Sequence, residues 1–195
     1  MEELILASGS PRRARLLSQI GIPFRVVVSG EPEDTKKTQP ADIVRELSAQ
    51  KAGHVAAGIR DGVVLGADTV VAQDGSVLGK PADRADAKAM LMRLSGAWHS
   101  VFTGVTIIAK KDGEARVSTF ACETRVKVHE LEEREIEDYL DTGDPFDKAG
   151  SYGIQGPFAA YVDEIRGDYN NVVGLPAAAV YQELKRLGVI GKDTI

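Results

Sequence analysis

Ser8-Gly9-Ser10-Pro11-Arg12-Arg13 gathers two hydroxyls, a glycine and two guanidinium groups in one short stretch. The apolar run at 4–7 reads as a buried strand, Ser8-Gly9-Ser10 as a turn, and Pro11 as the first residue of a helix with Ser10 as its cap. The start of a helix carries unbonded N–H groups and a partial positive charge, so it attracts anions. Arg12 and Arg13 oppose that dipole, which makes sense where a phosphate chain lies between them and the backbone amides. Two solvated surface arginines would give the same spacing, and spacing alone does not separate the readings. The segment is neither G-x-x-x-x-G-K-[ST] nor G-x-G-x-x-G.

Leu65-Gly66-Ala67-Asp68-Thr69-Val70-Val71 sets a carboxylate inside an otherwise apolar strand. Burying it without a partner is costly. Asp68 therefore either has a structural partner or faces a cleft where a metal or water uses it, and the cleft is the preferred reading. Carboxylate oxygen suits Mg²⁺ or Mn²⁺, which bridge phosphate oxygens. Glu33 offers a second carboxylate from a long polar loop at 29–39, although in isolation it reads more simply as a solvated loop acid. Lys80, in Leu78-Gly79-Lys80-Pro81, and Lys51, on the helix after the loop, are either point charges for phosphate or ordinary surface lysines. His54, His99 and His129 lack metal-ligand spacing and take no role. The acids between Glu130 and Asp138 read as the solvated face and first turn of a helix. Cys122, the single cysteine, sits in an alternating strand and reads as inert.

The elements that must position these groups follow from periodicity and turn signals. Strands are expected at 4–7, 24–28, 63–72, 98–109, 115–128 and near 159–165, with a short return strand from 77. Helices are expected from 11 to a stop at Gly21, at 40–57, from a cap at Asp83 to about 94, at 132–140, and from 176 to about 187. Asp74-Gly75 and Asp112-Gly113 read as hairpin turns. Helices interleaved with hairpins imply a mixed α/β sheet with flanking helices rather than a purely parallel one.

The 195 residues suit one domain, 1–195, or two small lobes sharing a core. Hydrophobic residues make up 43% and charged residues 27%, as in a globular protein. No apolar run reaches the roughly 20 residues that span a bilayer, and the acidic Met1-Glu2-Glu3 start is unlike a secretory signal. A cytoplasmic protein is expected. The net charge of −5 argues against a general nucleic-acid binder. A polyanionic small ligand then requires locally concentrated basic residues or a metal.

Taken together, the segments resemble the Maf family. The stretch from Leu4 to Arg13 is similar to its opening signature, and Leu65 to Val71 followed by Leu78-Gly79-Lys80-Pro81 to its central motif. Gly143-Asp144-Pro145-Phe146-Asp147-Lys148-Ala149-Gly150-Ser151-Tyr152-Gly153-Ile154-Gln155-Gly156 resembles the third signature and Val173-Gly174-Leu175-Pro176 the last. The resemblance spans about 4–187. It implies an α/β fold like that of inosine-triphosphate pyrophosphatases, with two lobes around a cleft and, in many members, a homodimer. It also implies hydrolysis of nucleoside triphosphates between the α- and β-phosphates with a divalent cation. On that pattern Asp68 matches the proton acceptor and, with Glu33, the metal site, while Ser8, Arg12, Arg13, Lys51 and Lys80 hold the triphosphate. Members acting on dTTP and UTP are similar to this chain in having Arg, Thr and Gln at three specificity positions, here Arg12, Thr69 and Gln155. A glutamine amide both donates and accepts, as the imide edge of uracil or thymine requires. Asp147 and Lys148 read as an ion pair shaping the Gly-rich loop, and Tyr169-Asn170-Asn171 as a local loop detail. The family is also associated with septum formation, so a regulator acting without catalysis is the alternative. The Nudix helix signature and the D-x-D nucleophile motif of other phosphohydrolases are absent.

Overall fold

The computed structural model describes residues 4–28, 30 and 34–191. In chain order the elements are β1 (Leu4–Leu6), α1 (Pro11–Gln19), β2 (Phe24–Val26), α2 (Pro40–Ala57), β3 (Gly62–Gln73), β4 (Ser76–Leu78) and α3 (Arg84–Leu94). There follow β5 (Trp98–Lys111), β6 (Glu114–Val128), α4 (Glu133–Asp141), β7 (Val162–Arg166), α5 (Tyr169–Val173) and α6 (Ala177–Arg186). The strands form one seven-stranded sheet in the order β2-β1-β3-β5-β6-β7, with β4 pairing to β3. β1 is parallel to both β2 and β3, with Leu4 opposite Phe24 and Val63, whereas β3–β4 and β6–β7 are antiparallel. The sheet is mixed, as the interleaved helices and hairpins require. Both hairpin turns take the left-handed backbone that two-residue connections need: Asp74 and Gly75 at φ 49° and 75°, Asp112 and Gly113 at 52° and 87°.

The chain divides into two compact units. The first comprises Met1–Asp68, Thr103–Cys122 and Gly174–Ile195. Its β1 is buried at every position, as befits a strand with parallel neighbours on both sides. Ile5, Ala7, Ala52, Val55, Ala56 and Val64 form its apolar centre between β1, α2 and β3. Glycines let α2 lie backbone to backbone on the sheet. A Cβ at Gly66 would stand 2.5 Å from the Ser48 carbonyl oxygen, and one at Gly104 would stand 2.1 Å from that of Val44.

The second unit comprises Thr69–Phe102 and Glu123–Val173. Phe158 lies at its centre, with ring centroids 5.0 Å from Tyr139, 4.8 Å from Tyr152 and 5.5 Å from Tyr161. Burying Phe158 explains a departure from the expected elements. Pro157 opens a 3-10 turn (Pro157–Tyr161) that carries the ring inward, so β7 begins at Val162 and not near 159. Other departures are local. β2 ends at Val26, and Ser10 stands at the cap position of α1 without a capping side-chain bond, its own N–H going to Ser8 Oγ at 3.3 Å. Tyr169-Asn170-Asn171 is helical, and buried Asn171 donates to the Val101 carbonyl and to Thr124 Oγ1, both at 3.0 Å. That segment is thus a bracket on β5 and β6. The acids of α4 do more than face solvent: Glu137 meets Arg84 at 2.5 Å and Lys88 at 2.8 Å, and Glu133 meets Lys88 at 2.6 Å. These exposed pairs orient α4 on α3 and add little stability.

His99 is buried, with Nε2 2.8 Å from the Tyr152 hydroxyl. Burial pushes its imidazole down to about 4. The unfolded chain therefore takes up a proton between pH 6.5 and 4 that the folded chain refuses. Stability contributed by neutral His99 is intact above pH 6.5 and falls as the pH drops toward 4, by on the order of 3 kcal/mol. Replacing His99 with glutamine, which keeps a partner for Tyr152, should flatten the fall in Tm across that window. Melts with an unchanged pH slope would place the titration elsewhere.

Candidate active site

Ser8 leaves the carboxyl end of β1, where Ala7 N–H bonds the Leu65 carbonyl at 2.8 Å. In sheets with parallel strands, ligands gather beyond such strand ends. Ser8 is only 7% exposed, and its Oγ accepts from Arg13 Nη1 at 3.0 Å. Arg13 Nε donates to the Gly174 carbonyl at 2.8 Å. The first and last motifs are therefore fastened through one guanidinium. Arg12, beside it in the first turn of α1, is half-buried, and no acidic residue occupies that turn.

Lys51 and Asp68 meet because of the glycine contact beneath α2. Ser48, Lys51 and Ala52 share a helix face, and Gly66 and Asp68 share a strand face. With Ser48 and Ala52 seated on Gly66, Lys51 is directed onto the residue two places along. Its Nζ lies 2.6 Å from Asp68 Oδ1, and the two side chains are 13% and 12% exposed. The structure thus supplies the partner that a carboxylate inside an apolar strand requires.

In the second unit, Thr69 is half-buried on β3, and Lys80 is exposed just beyond β4. Gly150 N–H donates to the Gly79 carbonyl at 3.0 Å, which brings the Gly-rich segment against the residue preceding Lys80. Gly150 has φ +68°, and a Cβ there would stand 2.8 Å from Val71. Gln155 is exposed in a turn closed by Gly156 N–H to the Gly153 carbonyl at 3.1 Å. Of the residues singled out from the sequence, Ser8, Arg12, Arg13, Lys51 and Asp68 fall in the first unit and Thr69, Lys80 and Gln155 in the second. Glu33 lies outside the described residues.

Lys148 meets Asp147 at 2.6 Å, the ion pair anticipated for the Gly-rich loop. The sequence reading overlooked Tyr139 and Asp144, which join that pair. Asp144 Oδ1 accepts from Lys148 at 2.9 Å, and Tyr139 donates to Oδ2 at 2.7 Å. An Asp-to-Lys spacing of four residues was the available signal. Cys122 is half-buried on β6. Among the described residues, no three His, Cys, Asp or Glu side chains gather as ligands for a metal, and no helix is long and apolar enough to cross a membrane.

The family model described as "Maf-like protein" matches residues 3–187. A dTTP/UTP pyrophosphatase of Agathobacter rectalis is 49% identical over 203 residues, covering 97% of this chain and 99% of that one. One from Lachnoclostridium phytofermentans is 49% identical over 191 residues, with 97% of each chain covered. One from Bacillus cytotoxicus is 51% identical over 188 residues, covering 95% of this chain and 96% of that one. Among solved structures, a nucleoside-triphosphatase / dITP/XTP pyrophosphatase from Mycobacterium abscessus aligns at TM-score 0.45 and 15% identity, covering 96% of this chain and 97% of that one.

Proposed function

Since the chain belongs to the Maf family, we propose that it hydrolyses dTTP and UTP to the nucleoside monophosphate and pyrophosphate. The observation that carries this reading is 49% identity, over 97% of the chain, to enzymes named for that activity. The buried Lys51–Asp68 pair gives it a chemical centre. In this reading Asp68 takes a proton from the attacking water, and the oxygen of that water bonds to the α-phosphorus. The bond from the α-phosphorus to the bridging oxygen breaks, and pyrophosphate leaves with the electron pair. Lys51 holds the Asp68 carboxylate in position. Ser8, Arg12, Arg13 and Lys80 offset the negative charge of the phosphates. The Ser8–Arg13 bond sets two of those donors, Ser8 and Arg13, before substrate arrives, and preorganised donors stabilise developing charge most effectively.

A divalent cation fits the oxygen donors present. Asp68, with Glu33, would supply carboxylates, and phosphate oxygens and water would complete the shell. The described residues assemble no all-protein cage of three or more ligands. Carboxylate donors suit Mg²⁺ or Mn²⁺ held partly by its substrate. When bound, the cation neutralises triphosphate charge and polarises the scissile phosphorus. Arg12, Thr69 and Gln155 choose the base. The reading is of a cytoplasmic enzyme acting on free nucleotides, with neither nucleic acid nor membrane as partner, and working as a homodimer.

Purified protein with Mg²⁺ and a panel of triphosphates provides the test. dTTP and UTP should be turned over most efficiently, releasing monophosphate and pyrophosphate in equal amounts. Orthophosphate as the primary product, or no turnover of either nucleotide, would overturn the assignment.

A further inference from the structure

Gln155 is exposed, yet the turn that carries it is fastened from below. Gly153 N–H donates to the Tyr139 hydroxyl at 3.1 Å, and that hydroxyl donates to Asp144 Oδ2 at 2.7 Å. Asp144 Oδ1 accepts from Lys148 Nζ at 2.9 Å. Lys148 Nζ also donates to the Asp144 carbonyl and to Asp147 Oδ1, both at 2.6 Å. An ammonium has three protons, and each has an acceptor here. Lys148 therefore acts as a clamp, with its side chain 13% exposed.

The backbone of the turn rests directly on this cluster. A Cβ at Gly153 would come within 2.6 Å of Lys148 Cε, and one at Gly156 within 2.9 Å of Asp144 Oδ2. Gln155 lies between these two glycines, and its neighbour Ile154 is buried as an anchor. Beneath them, Tyr139 stacks at a tilt on Phe158, so its hydroxyl has little freedom to move. Burial and the bond to Asp144 hold the phenol well above its ordinary range. It remains protonated, able to donate to Asp144 while accepting from Gly153.

We propose that Tyr139, braced by Asp144 and Lys148, is a positioning residue for base selection that fixes the turn from which Gln155 meets the pyrimidine. This rests on the reading of Gln155 as the residue that meets the base. The hydroxyl touches no substrate. It sets the height and angle of the turn, and through them the direction of the Gln155 amide. A phenylalanine in its place keeps the ring packing and deletes only the hydrogen bonds to Gly153 and Asp144.

The test is a double-mutant cycle read as the ratio of kcat/KM for dTTP to that for dATP. Tyr139→Phe should lower the ratio by roughly three- to tenfold, the worth of one well-placed hydrogen bond, mainly through a higher KM for dTTP. Gln155→Ala should lower it at least as much. The double variant should lose no more than Gln155→Ala alone, since a residue acting through Gln155 has nothing to act on once that amide is gone. Asp144→Ala approaches the same turn from the other side and should give the same non-additive loss, so the proposal stays testable should Tyr139→Phe not fold. If Gln155→Ala moves the ratio while Tyr139→Phe and Asp144→Ala leave it unchanged, or move it additively, Tyr139 has only a structural role. A ratio unmoved by Gln155→Ala removes the base-reading assignment itself, and the positioning role with it.

Discussion

Asp68→Asn is expected to lower kcat/KM for dTTP by roughly 10²–10⁴-fold, the usual worth of a general base, in a chain that still folds. Asparagine has nearly the same shape, and its amide oxygen can still accept from Lys51. It cannot take a proton from water. Thermal stability should fall as well, because the substitution removes the carboxylate charge that lies 2.6 Å from Lys51 Nζ in a largely buried position; breaking such a pair outright costs about 3–5 kcal/mol. Combining Asp68→Asn with Lys51→Met separates the two effects. The pair of substitutions should regain much of the lost Tm, since the ammonium is removed together with the carboxylate charge it faces, and recover no activity. Steady-state kinetics alongside thermal melts read both. Near-native turnover in folded Asp68→Asn protein would reduce Asp68 to a structural counter-ion for Lys51.

The second large effect is expected from a residue with no functional group. Gly104→Ala would put a methyl carbon 2.1 Å from the Val44 carbonyl oxygen and 2.3 Å from its carbon, both in the backbone of α2. A side chain could rotate away, but a hydrogen-bonded helix backbone moves only as a whole. The cost should reach the upper end of overpacking effects, about 3 kcal/mol or more. For a chain of this size, that corresponds to a fall in Tm of roughly 10 °C. Gly53 in the same helix supplies the contrast. A Cβ there would meet nothing within 4 Å, so Gly53→Ala should raise stability by about 0.5–1 kcal/mol through helix propensity alone. Opposite signs in the two melts would show that the contact matters and not glycine as such. Equal and small effects would mean that α2 is loosely seated.

Much of the architecture was legible because it rests on local rules. Asp74-Gly75 and Asp112-Gly113 announce their turns by residue type alone, and Asp83 caps α3 as its position suggested, accepting from Asp86 N–H at 2.8 Å. Features decided by distant packing were harder to read. Nothing near Pro157 discloses that Phe158 must reach an aromatic centre shared with Tyr139 and Tyr152, so the start of β7 was misplaced. Asn171 looked like loop polarity because its acceptors, Val101 and Thr124, lie on strands far off in the chain. The acids of α4 looked solvated for the same reason, since Arg84 and Lys88 belong to α3. Within the candidate site, the chemical groups were visible from their types and the resemblance of their motifs. Their wiring was not. That Lys51 answers Asp68, that Arg13 ties Ser8 to Gly174, and that Tyr139 reaches Gly153 are facts of tertiary structure.

The contact of α2 with Gly66 has a bearing on how this enzyme can change over evolutionary time. A helix separated from its sheet by side chains drifts whenever those side chains are exchanged, carrying its functional groups with it. Here the spacing between Lys51 and Asp68 is ruled by two backbones in direct contact, whose dimensions no substitution elsewhere alters. Ile5, Val55 and Val64 can be traded for other apolar residues at some cost in melting temperature while Lys51 and Asp68 keep their places. Selection for durability can thus act at those apolar positions while the spacing of the Lys51–Asp68 pair is kept.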